Sequence, residues 1–355
     1  MIRVGKVPLY VPAFGGVFRS SRSPWKVYMR GEGMNMNARM MAVAGLAAIL
    51  LGAGGAMADR FGTDGNQFTI DFVTISGGTN PTSGYGIVAN DYRMGIYEIT
   101  NGQWDKFKAE LGVPVTGVPW DAYDQNPHWT GTSVPTNDVS WYEAAQFVNW
   151  LNISTGHHAA YKFTGTQGTG DYALALWSAA EADNGTNLYR HKDAFYHLPT
   201  DHEWVKAAYW NGTALQAYAT KAGDSLHKGD GVSGTGWNYY YYEEGHATAP
   251  YGPWDVGSGS EELNGTFDMM GNVWEWMESP TSETNYAGPL RACRGWSYAN
   301  GGDLASSYRV GSSAYYQLSR TGFRVASEVP EPCSLALLSL GGLALVKRRR
   351  REAGQ

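Results

Sequence analysis

Cysteine is almost missing from this chain: its 355 residues contain two, Cys293 and Cys333. That excludes a disulfide scaffold, and a body of this length buries enough surface to fold without one. Basic residues are scarce as well. Residues 59–332 hold 15 Lys and Arg against 31 Asp and Glu, a formal charge of −16 where the whole chain has −6. Such a field repels nucleic acid and anionic membranes and favours divalent cations, although an acidic surface is also how exported proteins stay soluble. No apolar run reaches the roughly 20 residues of an ordinary spanning helix. Absent too are a Gly-x-Ser-x-Gly elbow, a phosphate loop, a dinucleotide fingerprint and a His-Glu-x-x-His pair, which removes the chemistries those motifs carry. His197 and His202 are separated by Pro199 and share no helix face, and His157-His158 read as surface residues in a turn.

The two shorter apolar runs sit at the ends. Residues 37–58 carry Arg39, an apolar run from Met40 to Leu51, and Ala56-Met57-Ala58. This is the pattern of a secretory signal peptide with an Ala-x-Ala cleavage site. Its basic end lies deep in the chain, so residues 1–58 read as a spurious N-terminal extension plus the signal peptide, with translation starting at Met34 or Met36. At the other end, Val329-Pro-Glu-Pro332 precedes an apolar stretch from Cys333 to Val346, then Lys347 and Arg348 to Arg351. The stretch is short for a transmembrane helix and the cationic cluster is its positive-inside flank. Residues 329–355 resemble the PEP-CTERM sorting signal. The resemblance implies exosortase and signal peptidase as partners during export, transient anchoring in the inner membrane, and an extracellular or cell-surface destination. A simple membrane anchor is the alternative.

Between the ends, Phe68 to Ile75 is β-branched and aromatic and is closed by Gly77-Gly78, the mark of a strand and turn. Capping-box spacing recurs three times, at Thr100/Gln103, Ser140/Glu143 and Thr200/Glu203, each opening a run of apolar residues at helical intervals. A short helix is expected near Leu174 to Ala182 in an otherwise poorly patterned stretch. Residues 211–259 are rich in Gly, Ser, Tyr and Asn and predict long loops that either a bound ion or aromatic packing must tie down. Cys293 to Tyr298, Tyr308 to Val310 and Thr321 to Val325 predict short strands. The stretch Asn264 to Trp276 mixes two Trp, a Phe and two Met with Asp268, Asn272, Glu275 and two Gly. It reads as a folded loop whose oxygens suit a hard cation such as Ca²⁺, or only satisfy backbone groups. The whole is a single α+β domain over residues 59–328, rich in loops.

Six segments in order carry a family resemblance: Tyr97-Glu-Ile-Thr-Asn101, Pro135-Thr-Asn-Asp-Val-Ser-Trp141, His197-Leu-Pro-Thr-Asp-His-Glu-Trp204, Gly271-Asn-Val-Trp-Glu-Trp276, Arg294-Gly-Trp-Ser-Tyr298 and Gly322-Phe-Arg-Val-Ala326. The chain resembles the formylglycine-generating enzyme family of sulfatase-modifying factors. The resemblance implies a C-type-lectin-like fold with little regular secondary structure and structural Ca²⁺. It maps one calcium site onto Asn272 and Glu275 and a second onto Asn238, the Tyr239 carbonyl and Glu243 or Glu244. Members that generate formylglycine hold copper through two Cys five residues apart, and those positions fall here on Asn300 and Ala305. Copper(I) selects soft sulfur ligands, which an amide and a methyl group do not supply.

The expected protein is therefore an exported module of this family, supported by calcium and binding or structural in role, with a surface glycan or protein as ligand. Tyr239 to Tyr242, Trp254, Tyr315 and Tyr316 are either the rings that stack on such a ligand or core residues. The rival is an oxidoreductase that uses a different metal. If the export signal is read as expected, N-terminal sequencing of the secreted protein should begin at Asp59; a first residue upstream of Met57 would contradict the assigned cleavage site.

Overall fold

The computed structural model describes residues 57–111, 127–240, 245, 251–281, 290–299 and 304–330. The expected signal peptide up to residue 56, the C-terminal sorting segment from residue 331, and the predicted site residues Glu244 and Asn300 lie outside them. Among the described residues no helix is long and apolar enough to cross a membrane.

Strand β2 (Phe68–Ile75) realises the period of two expected from its sequence. Phe68, Ile70 and Phe72 are buried while Thr69 faces solvent. It pairs antiparallel with β1 (Met57–Phe61) on one side and β3 (Tyr92–Gly95) on the other. Two short strands from later in the chain complete this sheet, β8 (Tyr196–His197) and β13 (Ala326–Glu328), in the order β1-β2-β3-β13-β8. The last described strand thus lies inside the sheet, bonded to β3 and β8. Strand β1 starts at Met57, two residues before the expected domain boundary.

All three capping boxes form. Thr100 N–H donates to Gln103 Oε1 at 2.8 Å and Gln103 N–H to Thr100 Oγ1 at 3.2 Å, opening α1 (Asn101–Leu111). Ser140 and Glu143 open α2 (Trp141–Ser154), and Thr200 and Glu203 open α3 (Asp201–Tyr209), in the same reciprocal way. The inner faces of α1 and α2 meet β2 in an aromatic cluster. Phe147 lies 5.1 Å from Phe107, 5.4 Å from Phe323 and 6.2 Å from Phe68, ring centre to ring centre. Offset and edge-on contacts of this kind add to what area burial alone provides.

A second sheet, ordered β11-β10-β9-β12, is built from β9 (Trp274–Pro280), β10 (Leu290–Arg294), β11 (Val310–Ser313) and β12 (Thr321–Gly322). The start of α2 is stapled to β9 by two indole N–H groups. Trp141 Nε1 donates to the Met277 carbonyl and Trp276 Nε1 to the Val139 carbonyl, both at 2.9 Å. Buried Trp is affordable here because its one polar atom has a partner.

Five sequence expectations change: of the strand expected over Tyr308 to Val310 only Val310 is in a strand, at the start of β11, and the strand expected over Thr321 to Val325 stops at Gly322. The stretch Leu174 to Ala182 is not helical. It runs from the second strand of one hairpin, β4 (Lys162–Thr164) with β5 (Ala173–Ala175), into the first strand of the next, β6 (Ala182–Asp183) with β7 (Asn187–His191). Glu181 does accept from Ser178 N–H and Oγ, but one capped turn does not meet the cost of helix nucleation when Asn184-Gly185 turns the chain directly afterwards. The Asn264 to Trp276 loop hands over to β9 at Trp274. The strand expected over Cys293 to Tyr298 stops at Arg294, because Gly295 and Trp296 have φ of 97° and 65°.

In the described parts of residues 211–259, Trp237, Tyr239 and Trp254 are buried and pack the loops. Replacing Ser140 by Ala should cost about 1 kcal/mol of stability, because the Glu143 N–H loses its acceptor. Thermal unfolding should show a melting point lowered by roughly 2–4 °C, and an unchanged value would mean the α2 cap contributes nothing.

Candidate functional site

The loop before β9 is shaped by backbone that most residues resist. Asp268 and Asn272 have φ of 63° and 54°, and a Cβ on Gly271 would sit 2.1 Å from the Asn238 carbonyl oxygen. Asn and Asp tolerate this left-handed region better than other side chains, and only Gly allows the close approach. The result presses residues 271–272 against Asn238, whose carbonyl accepts from Asn272 N–H at 2.7 Å.

The predicted calcium ligands separate into two groups. Asn238 and Asn272 are brought together: Asn238 Nδ2 donates to Asn272 Oδ1 at 3.2 Å, and Trp254 N–H donates to the same oxygen at 2.8 Å. Asn272 Nδ2 donates in turn to Glu98 Oε2 at 2.8 Å. Glu275 points elsewhere. Its carboxylate is fully buried and forms a two-pronged ion pair with Arg324, Nε to Oε2 and Nη2 to Oε1, both 2.7 Å, and it also accepts from Trp204 Nε1. The oxygens of Asn272 and Glu275 therefore do not converge. As arranged they do not fit a calcium ion, which needs six or more oxygens around one point. Among the described residues no three His, Cys, Asp or Glu side chains gather as metal ligands.

What surrounds Arg324 instead is an excess of buried acid. The guanidinium also donates to the carbonyls of Gly95, Ile96 and Phe267, so each of its five N–H groups has a partner. Glu98, Glu262, Asp268 and Glu275 share this single buried cation. Burial, with Asp268 and Glu275 acting in the same direction, pushes the Glu98 carboxyl well above 4.5. Burial raises Glu262 to about 8 and Asp268 to about 6. Glu262 nevertheless organises the loop, accepting from the N–H groups of Met269 and Met270. Sequence reading missed Glu98, Glu262 and Arg324 as one unit. The available signal was a charged residue flanked by apolar neighbours in each of Tyr97-Glu98-Ile99 and Phe323-Arg324-Val325.

Ala305 introduces the second feature. It occupies a tight turn, accepting from Tyr308 N–H at 2.9 Å, and that turn is anchored firmly. Arg294 Nη1 donates to the carbonyls of Ser306 and Tyr308, while its Nε and the Nε of Arg309 grip the two oxygens of Asp201 at 2.6 and 3.0 Å. Tyr209 fixes the Leu304 carbonyl. Beyond the turn lies a cleft of about 240 Å³ lined by Trp274, Trp296, Tyr308 and Arg320, with Cys293 at its wall. Trp296 stacks on Tyr308 at 4.1 Å and lies 5.0 Å from Trp274. A bulky residue at positive φ costs of order 1–3 kcal/mol, and at Trp296 that strain sets the ring into the slot.

Neither residue at this place fits copper. Ala305 has no donor atom. Cys293 is the one described Cys, 2% exposed in β10, and burial followed by the nearby Asp201 raises its thiol well above the ordinary value. A buried, protonated thiol is a poor metal ligand and a poor nucleophile.

Of the aromatic residues considered as a ligand platform, Tyr239 and Trp254 are core, and Tyr315 stacks on Tyr142 at 5.1 Å. Tyr316 is exposed, Tyr240 partly so, and Tyr241 and Tyr242 lie outside the described residues.

An α+β domain of few helices and several small sheets, with most of its chain in pinned loops, is the class these features define. Residues 47–329 match the family described as sulfatase-modifying factor enzyme 1-like domain, and the chain belongs to that family. Among solved structures it is similar to CarF, at 18% identity over 73% of this chain and 98% of CarF, with a TM-score of 0.53. It is also similar to Treponema denticola variable protein 1, at 21% identity over 77% of this chain and 99% of that one, with a TM-score of 0.51. Identities this low establish a common fold. A search of curated proteins finds no match.

The buried acids give a pH dependence with a definite sign. A carboxyl whose folded pKa exceeds its unfolded value binds its proton more tightly when folded, so its contribution is complete at low pH and declines as pH rises. Melting temperature should therefore fall between about pH 4.5 and pH 8 as Asp268 and then Glu262 are forced to ionise. Glu262→Gln should flatten the upper part of that decline, and a wild-type profile that rises across the range would refute the assignment.

Proposed function

We propose that this protein is an exported member of the family that binds a surface ligand and has no copper-dependent oxidase chemistry. The observation carrying the reading is the turn at Ala305, where a methyl group and an aromatic slot occupy the place that the family resemblance assigns to a metal-binding thiol. A rigid turn held by Arg294, Arg309 and Asp201 is wasted on a chain segment without a role, and ordered aromatic walls suit recognition of a ring-bearing group on a glycan or protein. The signal peptide and the sorting segment direct the domain to the cell surface, where such a ligand would be met.

The slot is walled by the rings of Trp274, Trp296 and Tyr308, with Arg320 beside them. Tyr308, 40% exposed, forms its accessible wall. Recognition there would rest on stacking and on the Arg320 charge, with no step that requires electron transfer.

Incubation of the purified protein with copper(I), oxygen and a sulfatase-type cysteine peptide should leave the peptide mass unchanged. Ala305→Cys alone should not alter that result, since one sulfur does not complete a two-thiolate site. Conversion of the peptide cysteine to an aldehyde by the unmodified protein would overturn the proposal, as would stoichiometric copper or iron retained through dialysis.

A further inference from the structure

The aromatic slot carries a charge that its walls do not balance. Of its lining residues only Arg320 is permanently charged, and none is Asp or Glu. Residues 59–332 hold 31 Asp and Glu against 15 Lys and Arg, so a lining with a cation and no acid runs against the composition of the body.

Arg320 is set in place by its backbone. Its carbonyl accepts from Trp274 N–H at 2.8 Å, and the next residue, Thr321, pairs with Trp274 where β12 runs parallel to β9. Thr321 N–H closes the turn before it by donating to the Leu318 carbonyl at 2.9 Å. The side chain is half-buried, yet its guanidinium has no hydrogen-bond or ion-pair partner among the described residues. Asp201, whose charge reaches Cys293 in the slot wall, is already gripped by both Arg294 and Arg309. That carboxylate has no charge left over for Arg320.

A half-buried guanidinium without a counter-ion, beside accessible ring surface, selects an anion that arrives attached to a ring. Arginine meets carboxylate or sulfate with two parallel N–H groups, and such charge-assisted bonds are about twice as strong as neutral ones. A neutral sugar, or the Tyr or Trp side chain of a peptide, would use the ring surface and leave Arg320 unmatched. Inorganic phosphate or sulfate would match the charge and leave the rings unused. The negative field of the whole domain is screened within about 8 Å at physiological salt, so at contact range Arg320 decides. We infer that the slot binds an acidic sugar, its ring laid against Tyr308 and its carboxylate or sulfate paired with Arg320. The inference names the ligand class for the slot reading and rests on it. Tyr308, 40% exposed, and the half-buried Arg320 are the groups such a sugar reaches, with Trp274 and Trp296 buried behind them.

The purified full-length protein is applied to an array of neutral, uronate-bearing and sulfated oligosaccharides together with tyrosine-sulfated peptides, and affinities are then measured by calorimetry. A uronate-bearing or sulfated glycan should bind at least about tenfold more tightly than its neutral counterpart, the scale of a hydrogen bond between charged groups. The two acidic arms show which anion is preferred. Arg320→Gln should bring the acidic glycan down to the neutral level, and Arg320→Lys should restore part of the difference. Tyr308→Ala should weaken acidic and neutral glycans alike. Lys192→Gln, which removes an exposed cation outside the slot, should change neither. Neutral glycan binding that Tyr308→Ala abolishes and Arg320→Gln leaves intact would overturn the acidic-sugar assignment while keeping the slot as the ligand site. Glycan binding that neither variant alters would overturn both. A preference for the sulfated peptides, or no binding to any acidic glycan, would also overturn the assignment.

Discussion

The two-pronged pair between Arg324 and Glu275 is the contact on which the other loops rely. One guanidinium joins β9 through Glu275, the end of β3 through the carbonyls of Gly95 and Ile96, and the loop before β9 through Phe267. Bringing both charges out of water has a high cost, and it is recovered only because every donor on the arginine is matched. Loss of the cation alone would leave four carboxyls buried together with no counter-charge among them.

This arrangement shows how a domain with little regular secondary structure stays ordered. Long loops carry many backbone groups that no sheet or helix satisfies, and each must find a partner elsewhere. Here side chains supply them repeatedly. Asn152 holds the N–H groups of Phe195 and Tyr196 and the Tyr196 carbonyl, and Asn264 reaches the carbonyls of Ala207 and Trp210 at the end of α3. Glu262 does the same for Met269 and Met270. Aromatic rings fill the volume between, with Trp237, Tyr239 and Trp254 buried.

Local rules made much of the fold legible. The alternation of Phe68, Ile70 and Phe72, and three Ser or Thr caps with their Glu or Gln three residues on, depend only on neighbours and were recoverable without coordinates. The order of the six landmark segments gave the family. Contacts between distant positions were hidden. Glu275 could be read as an oxygen donor near Asn272, but not that Arg324, 49 residues later, occupies both its oxygens. Arg190 sits in a stretch whose sequence showed no pattern, because its partners Asp183, Glu203 and Glu278 come from three separate elements.

The position of β13 bears on how the chain is made. This strand is slotted between β3 and β8 rather than added at an edge, and it directly follows the segment that brings Arg324 to its acids. Until residues 324–328 have left the ribosome, the five-stranded sheet has a gap in its interior and the acid cluster lacks its cation. Nearly the whole domain must accordingly be synthesised before it can close, so the sheet and the acid cluster are completed together by the same last few residues.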